Sequence, residues 1–165
     1  MAMTTLQEKF AHDLGDIYDA EHRFLEAQQD MLEHAKAAEL KTMIREHIIQ
    51  TEEQIRNLEE VYEMIDSKAK RVKCDAATGL VIEGQKGMKE AAEHSAILDC
   101  VIAGSAEKVE HYEIVSYRGL ITLCKEMGQS TVISLLEHNL HQEEQAAKLV
   151  EQSIPKLIQK AMSGK

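Results

Sequence analysis

The chain has 165 residues, enough for one domain with a buried core, and its 19 Lys and Arg stand against 29 Asp and Glu, a formal charge of -10. That acidic balance argues against nucleic acid or an anionic membrane as a partner, and no apolar run approaches bilayer-spanning length. One Pro, no Trp and a composition dominated by Ala, Leu, Ile, Glu, Gln and Lys predict helix nearly throughout.

The opening "MAMTTLQEKFAHDLGD" lacks the apolar centre of a signal peptide, so the expectation is a cytoplasmic protein. Helical periodicity then runs from Thr4 to Ala35, with Thr4 or Thr5 as cap, and from Ala38 to Ile65, giving a first hairpin over 4–66. The stretch "DSKAKRVKCDAATG" (66–79) breaks the pattern and reads as a solvated, basic connection rather than an anion site. A short helix over 76–93, weakened by Gly79, Gly84 and Gly87, completes a crossover spanning 67–94. A third long helix runs from Ser95 to Met127, where Gly128 supplies a stop, and a fourth from Ser130 to Ser153. These form a second hairpin over 95–153, and Pro155 is read as starting a short tail helix, 154–162, of a single domain covering 1–165.

Cys74, Cys100 and Cys124 are odd in number and lack metal-type spacing, as expected of reduced thiols. For Cys74, beside the basic connection, redox sensing is the alternative to an inert thiol. A faint repeat pairs "EHIIQTEEQIRNL" (46–58) with "EHNLHQEEQAAKL" (137–149), the pattern of two hairpins related by an approximate two-fold.

Each long helix carries an apolar stripe with a polar interruption near its middle. On the first helix Glu21 and Gln28 interrupt Phe10, Leu14, Ile17, Leu25, Leu32 and Ala35. His47, Thr51 and Gln54, with Gln50 close by, interrupt the second helix's stripe, and Glu143, with Asn139, the fourth's. On the third helix, within "KVEHYEIVSYRG", Glu110, Glu113 and Tyr117 share one face with Val109 and Leu120. In a bundle, helix midpoints lie at one level, so these groups converge. No Lys or Arg lies on the stripes there, and uncompensated buried carboxylates must take up protons or bind a metal. Carboxylates with an imidazole suit iron, manganese or zinc.

The segments "DLGDIYDAEH" (13–22), "KRVKCDAATGLVIEG" (70–84), "KVEHYEIVSYRGL" (108–120) and "LLEHNLHQEEQ" (135–145) resemble the bacterial ferritin-like stress proteins of the YciF and YciE type, the DUF892 family. The resemblance implies an all-α, ferritin-like four-helix bundle with a crossover between two hairpins and additional short helices, forming a homodimer. In the wider superfamily two metals sit among a Glu on each of the first and third helices and a Glu-x-x-His on each of the other two. By position Glu21 and Glu110 match the lone carboxylates, Glu143 matches the fourth helix's carboxylate, and Glu110 with Tyr117 fits the Glu-x6-Tyr pattern of rubrerythrins. The second helix offers His47 and Gln50 in the order His-x-x-Gln instead, and Glu113 is available to fill a place. Glu53, Glu144 or His141 would serve only if a helix turned.

The resulting expectation is one or two ions of iron or manganese held by Glu21, His47, Gln50, Glu110, Glu113 and Glu143, acting on peroxide or oxygen in stress protection. Tyr117 is the candidate catalytic side chain, donating to a carboxylate or taking part in redox chemistry. The competing expectation is a non-catalytic helical dimer with a metal-free polar core.

Overall fold

The computed structural model describes residues 3–164; Met1, Ala2 and Lys165, at the ends of the 1–165 unit, lie outside the described residues. The chain is all-α, with α1 at Leu6–His34, α2 at Ala38–Met64, α3 at Asp75–Ala91, α4 at Ser95–Glu126, a 3₁₀ turn at Ser130–Val132 and α5 at Ile133–Met162. α1 begins where Thr5 accepts from the Glu8 amide at 3.1 Å while Glu8 reaches back to the Thr5 amide at 3.0 Å, a reciprocal cap that contributes about 1 kcal/mol. α4 ends against Gly128, whose φ of 71° is the left-handed conformation that side chains disfavour.

Cross-helix contacts give the directions. Gln28 meets Thr51 and Tyr18 meets Glu59, so α1 and α2 are antiparallel. Asp99 meets Lys36 while Tyr117 meets Glu21, so α1 and α4 are antiparallel as well, and α4 runs parallel to α2. A parallel pair in sequence needs a long return path, which α3 and its flanking loops provide. α5 then lies antiparallel to both α2 and α4, through Asn57–Asn139 and Lys125–Glu137.

Apolar side chains gather in two clusters along the bundle. One contains Leu14, Ile17, Phe24, Leu58, Leu120 and Leu136. The other contains Met31, Leu40, Leu98, Ile102 and Leu157.

One feature adds to the sequence reading and one departs from it. The connection before α3 keeps residues 66–71 and Lys73 exposed, but it is anchored to α1 and α2. Val72 N donates to Gly15 O at 2.9 Å, Tyr62 donates to Lys70 O at 3.0 Å, and Arg71 reaches Asp19 at 2.7 Å. Gly15 makes this docking feasible, because a Cβ there would lie 2.6 Å from Val72 and 2.9 Å from Lys70 O.

The tail is not a separate helix, since α5 continues through Pro155 to Met162. Proline removes one helical donor, a cost of about 3 kcal/mol in a helix interior. Here the side chain faces solvent, and Leu157 and Ile154 on the same turns pack into the second cluster and hold the helix on course.

A candidate metal centre at the waist of the bundle

Glu21 is held inward by its own helix. It shares a face with Leu14, Ile17, Phe24 and Gln28, and turning it to water would expose the three apolar side chains, at about 1.5–3 kcal/mol each. The same logic fixes Glu110, Glu113 and Tyr117 beside Val109, Ile114 and Leu120 on α4, and Glu143 beside Leu136, Ala146 and Ala147 on α5. Glu21, Glu113, Tyr117 and Glu143 have no exposed surface.

The four helices bring these groups into one chamber. One ligand atom from each of His47, Glu110, Glu113 and Glu143 can be chosen so that all four lie within 4.8 Å of one another. His47 Nε2 is 3.1 Å from Glu110 Oε1 and 3.8 Å from Glu143 Oε2. Glu21 stands outside this quartet: its Oε1 accepts from the Tyr117 hydroxyl, which in turn accepts from Asn139 Nδ2 at 3.0 Å. Gln54 donates to Glu143 Oε1.

Gln50 is placed behind His47 rather than among the carboxylates, its Oε1 3.1 Å from His47 Nδ1. With the proton on Nδ1, this contact aims Nε2 at the acids. His138 and His141 face solvent, as do Glu144, bonded to Arg118, and Glu53, bonded to His138 and Gln142. None of these reaches the chamber.

The electrostatics follow from the absence, among the described residues, of any Lys or Arg contact to these acids. Burial opposes the charge on His47, but Glu110 and Glu143 outweigh it and push the imidazole up to about 10. Burial also opposes ionisation of Glu110, yet the His47 charge prevails and holds it below the ordinary value. Burial raises Glu21 to about 7 despite the hydrogen bond from Tyr117. Glu113 and Glu143 go well above the carboxylate range, first through burial and then through neighbouring carboxylates. Tyr117 is pushed well above 10 by burial and by Glu21, and stays a phenol.

The polar atoms left without a partner test whether a metal fits. They include both oxygens of Glu113 and Oε2 of each of Glu21, Glu110 and Glu143, while His47 Nε2 has only its contacts to Glu110 and Glu143. Buried polar atoms almost always have partners, and a cluster of five carboxylate oxygens without any, beside one imidazole, marks a place for a cation or for protons. A donor set of buried carboxylates with one imidazole could hold a metal ion.

Sequence reasoning missed two other buried polar sites, Asp19 and Asp99, and named Cys74 without the contacts that hold it. Asp19 accepts from Arg23, Arg71 and the Cys74 amide at 2.5, 2.7 and 2.9 Å. Burial alone would raise Asp19, but these donors hold it below the ordinary value. Asp99 accepts from the amides of Lys36 and Ala37, and so holds the turn that leads into α2 from another helix. Cys74 is buried, caps α3 through the Ala77 amide and lies 3.0 Å from the Tyr112 hydroxyl, which donates to Asp16 at 2.7 Å. Burial pushes the Cys74 thiol up, the environment of an inert thiol rather than a sensor.

The model of a family described as "Domain of unknown function (DUF892)" matches residues 5–163. The chain belongs to the DUF892 family. Protein YciF of Escherichia coli K12 is 33% identical over 144 residues, which cover 87% of this DUF892 chain and 86% of YciF. The crystal structure of the E. coli stress protein YciF superimposes with a TM-score of 0.89 at 30% identity, covering 96% of this chain and 99% of that one. YcfI of Rhodopseudomonas palustris gives 0.88 at 32% identity, over 90% and 94%. A Xanthomonas campestris protein at 20% identity, with a TM-score of 0.76, shares the fold. No helix among the described residues is long and apolar enough to cross a membrane.

Proposed function

We propose that this DUF892 protein is a cytoplasmic stress-protection metalloprotein, a homodimer, whose waist holds iron or manganese and reacts with peroxide or oxygen. One observation carries the reading: Glu113 is fully enclosed, neither of its oxygens has a partner, and it stands in a quartet with His47, Glu110 and Glu143. Those four residues would hold an ion, and the free oxygen of Glu21 would serve it from beside them. A bound iron or manganese would supply one-electron redox chemistry at an otherwise unreactive apolar core.

The chain's own part is to replace protons and to exclude water. Deprotonated Glu113 and Glu143 and neutral His47 would balance the charge of the ion, so that loading releases protons. Tyr117 keeps its phenolic proton, donates to Glu21 and holds that carboxylate in place, with Asn139 fixing the phenol in turn.

The second reading, a metal-free polar core, is favoured by the His-x-x-Gln order on α2 and by the ease with which Glu113 and Glu143 take up protons. Metal analysis of protein purified without chelator, beside Glu21→Ala and Glu143→Ala, separates the two. The metalloprotein reading expects about one equivalent or more of metal in the wild type, losing more than about 100-fold in affinity in Glu143→Ala, beyond what loss of a supporting residue does. It also expects peroxide consumption that disappears in both variants. Less than a few tenths of an equivalent, unchanged by mutation, leaves the polar core.

A further inference from the structure

A cavity of about 90 Å³ reaches the buried quartet from the side. Glu46 on α2 and Gln145 and Leu149 on α5, all exposed, mark its mouth. Its walls are apolar, made by Met31, Leu40, Met43, Ile44, Ala146 and Val150. Its polar side is formed by Gln28, His47, Gln50 and Glu110. An orphaned ligand atom and an apolar passage therefore meet end to end, as Glu110 Oε2 is among the atoms without a partner and His47 beside it meets only acids of the quartet.

We propose that this cavity binds a small neutral molecule with an apolar body and one polar head, of the organic hydroperoxide class, with the head against His47 and Glu110. The proposal rests on the peroxide reading of the centre for its chemistry, though not for the binding itself.

A charged or strongly hydrated ligand would lose most of its water to walls that are apolar except on the one polar side. Hydrogen peroxide is polar at both ends and gains nothing from Leu40 or Ile44. An apolar body does gain, since each methylene held in an apolar pocket contributes roughly 10- to 200-fold in selectivity. Size sets the class further. An apolar cavity of about 150 Å³ holds benzene, so about 90 Å³ encloses roughly four heavy atoms. A butyl group fits inside, and a longer chain would extend past Leu149. Met31 and Met43 are unbranched and polarizable, and can adjust to the shape of the body.

The test begins on metal-free protein with ¹³C-methyl methionine and uses tert-butanol as the probe. Saturable shifts are expected at Met31 and Met43 and not at the exposed Met64 and Met162. Leu149→Trp, at an exposed position that tolerates bulk, and Ala146→Phe, which fills the cavity, should each weaken the binding at least about tenfold. Absence of saturable shifts, or the same affinity in both variants, overturns the proposal. In metal-loaded protein the preference for tert-butyl hydroperoxide over hydrogen peroxide should fall about tenfold in Leu149→Trp at unchanged metal content. An unchanged preference overturns the substrate class. A protein that binds no metal would remove the proposed centre and leave the tert-butanol result to decide the cavity.

Discussion

Asp19 and Glu113 are both enclosed carboxylates, yet each oxygen of Asp19 has a donor and neither oxygen of Glu113 has one. Around Asp19 the fold supplies two guanidinium groups and an amide, so the acid is ionised and ties α1 to the crossover. Around Glu113 it supplies other acids, one imidazole and apolar walls, so the charge must come from outside the chain, as protons or as a metal. The contrast separates an acid that serves the fold from acids that cost stability. Functional sites are where such costs collect.

Breaking the Asp19 side should have the largest effect. Asp19→Ala leaves Arg71, Arg23 and the buried Cys74 amide without their acceptor, and removal of one partner from a buried ionic contact costs about 3–5 kcal/mol. Both guanidinium groups are partly exposed and can rehydrate, so roughly 3 kcal/mol is expected in urea melts, with metal content unchanged. A loss below about 1 kcal/mol would erase the distinction between the two kinds of acid.

A second, smaller effect sharpens the comparison through pH. Glu21 is raised from 4.5 to about 7 in the folded chain, so its contribution to stability is fully present below 4.5 and is lost as pH rises through 7. Glu113 and Glu143 are raised too and act in the same direction, as does His47, raised from 6.5 to about 10 over a higher window. Glu110 is lowered and acts in the opposite direction, losing its contribution only on the acid side of 4.5. Metal-free protein should therefore lose about 2 kcal/mol between pH 4.5 and 6 from Glu21 alone. Glu21→Gln should reduce that slope to the part that Glu113 and Glu143 contribute, and Asp19→Ala should leave it intact, as read from urea melts in chelator across this range. A flat profile in the wild type would mean that the waist acids are as well satisfied as Asp19.

The sequence made one side of this comparison readable and hid the other. Helical periods reveal which residues interrupt an apolar stripe, and they identified the inward positions of Glu21, Glu113 and Glu143 from neighbours on the same helix. Mid-helix placement did the rest, because a bundle aligns midpoints. Asp19 and Asp99 depend on partners far along the chain, Arg71 and Cys74 for one and Lys36 and Ala37 for the other. No local pattern records such partners. The anchoring of the basic connection was hidden because its charges carry no period, while the features that dock it are a missing Cβ at Gly15, backbone groups and the distant pair of Arg71 with Asp19. Pro155 shows the converse: a strong local signal was overridden by the packing of Leu157 and Ile154 beyond it.

The smallest predicted effect concerns Gln50, which touches no carboxylate of the quartet and holds His47 by Nδ1 at 3.1 Å. A residue in that role fixes the tautomer and the ring angle, and its loss costs about 10- to 100-fold in metal affinity. Gln50 is half-buried at the cavity wall, so Gln50→Ala should leave the fold intact and weaken manganese binding by about tenfold, the lower end of that range, because neighbouring side chains still confine the ring. Gln50→Glu places a carboxylate oxygen on the same Nδ1 proton and makes Nε2 a better ligand, so its affinity should match or exceed the wild type. That order, with Ala weakest and Glu strongest, requires His47 to bind the ion through Nε2. Equal affinities in all three proteins, measured by calorimetry at one pH, would place the ion among the carboxylates alone and leave His47 as their counter-charge.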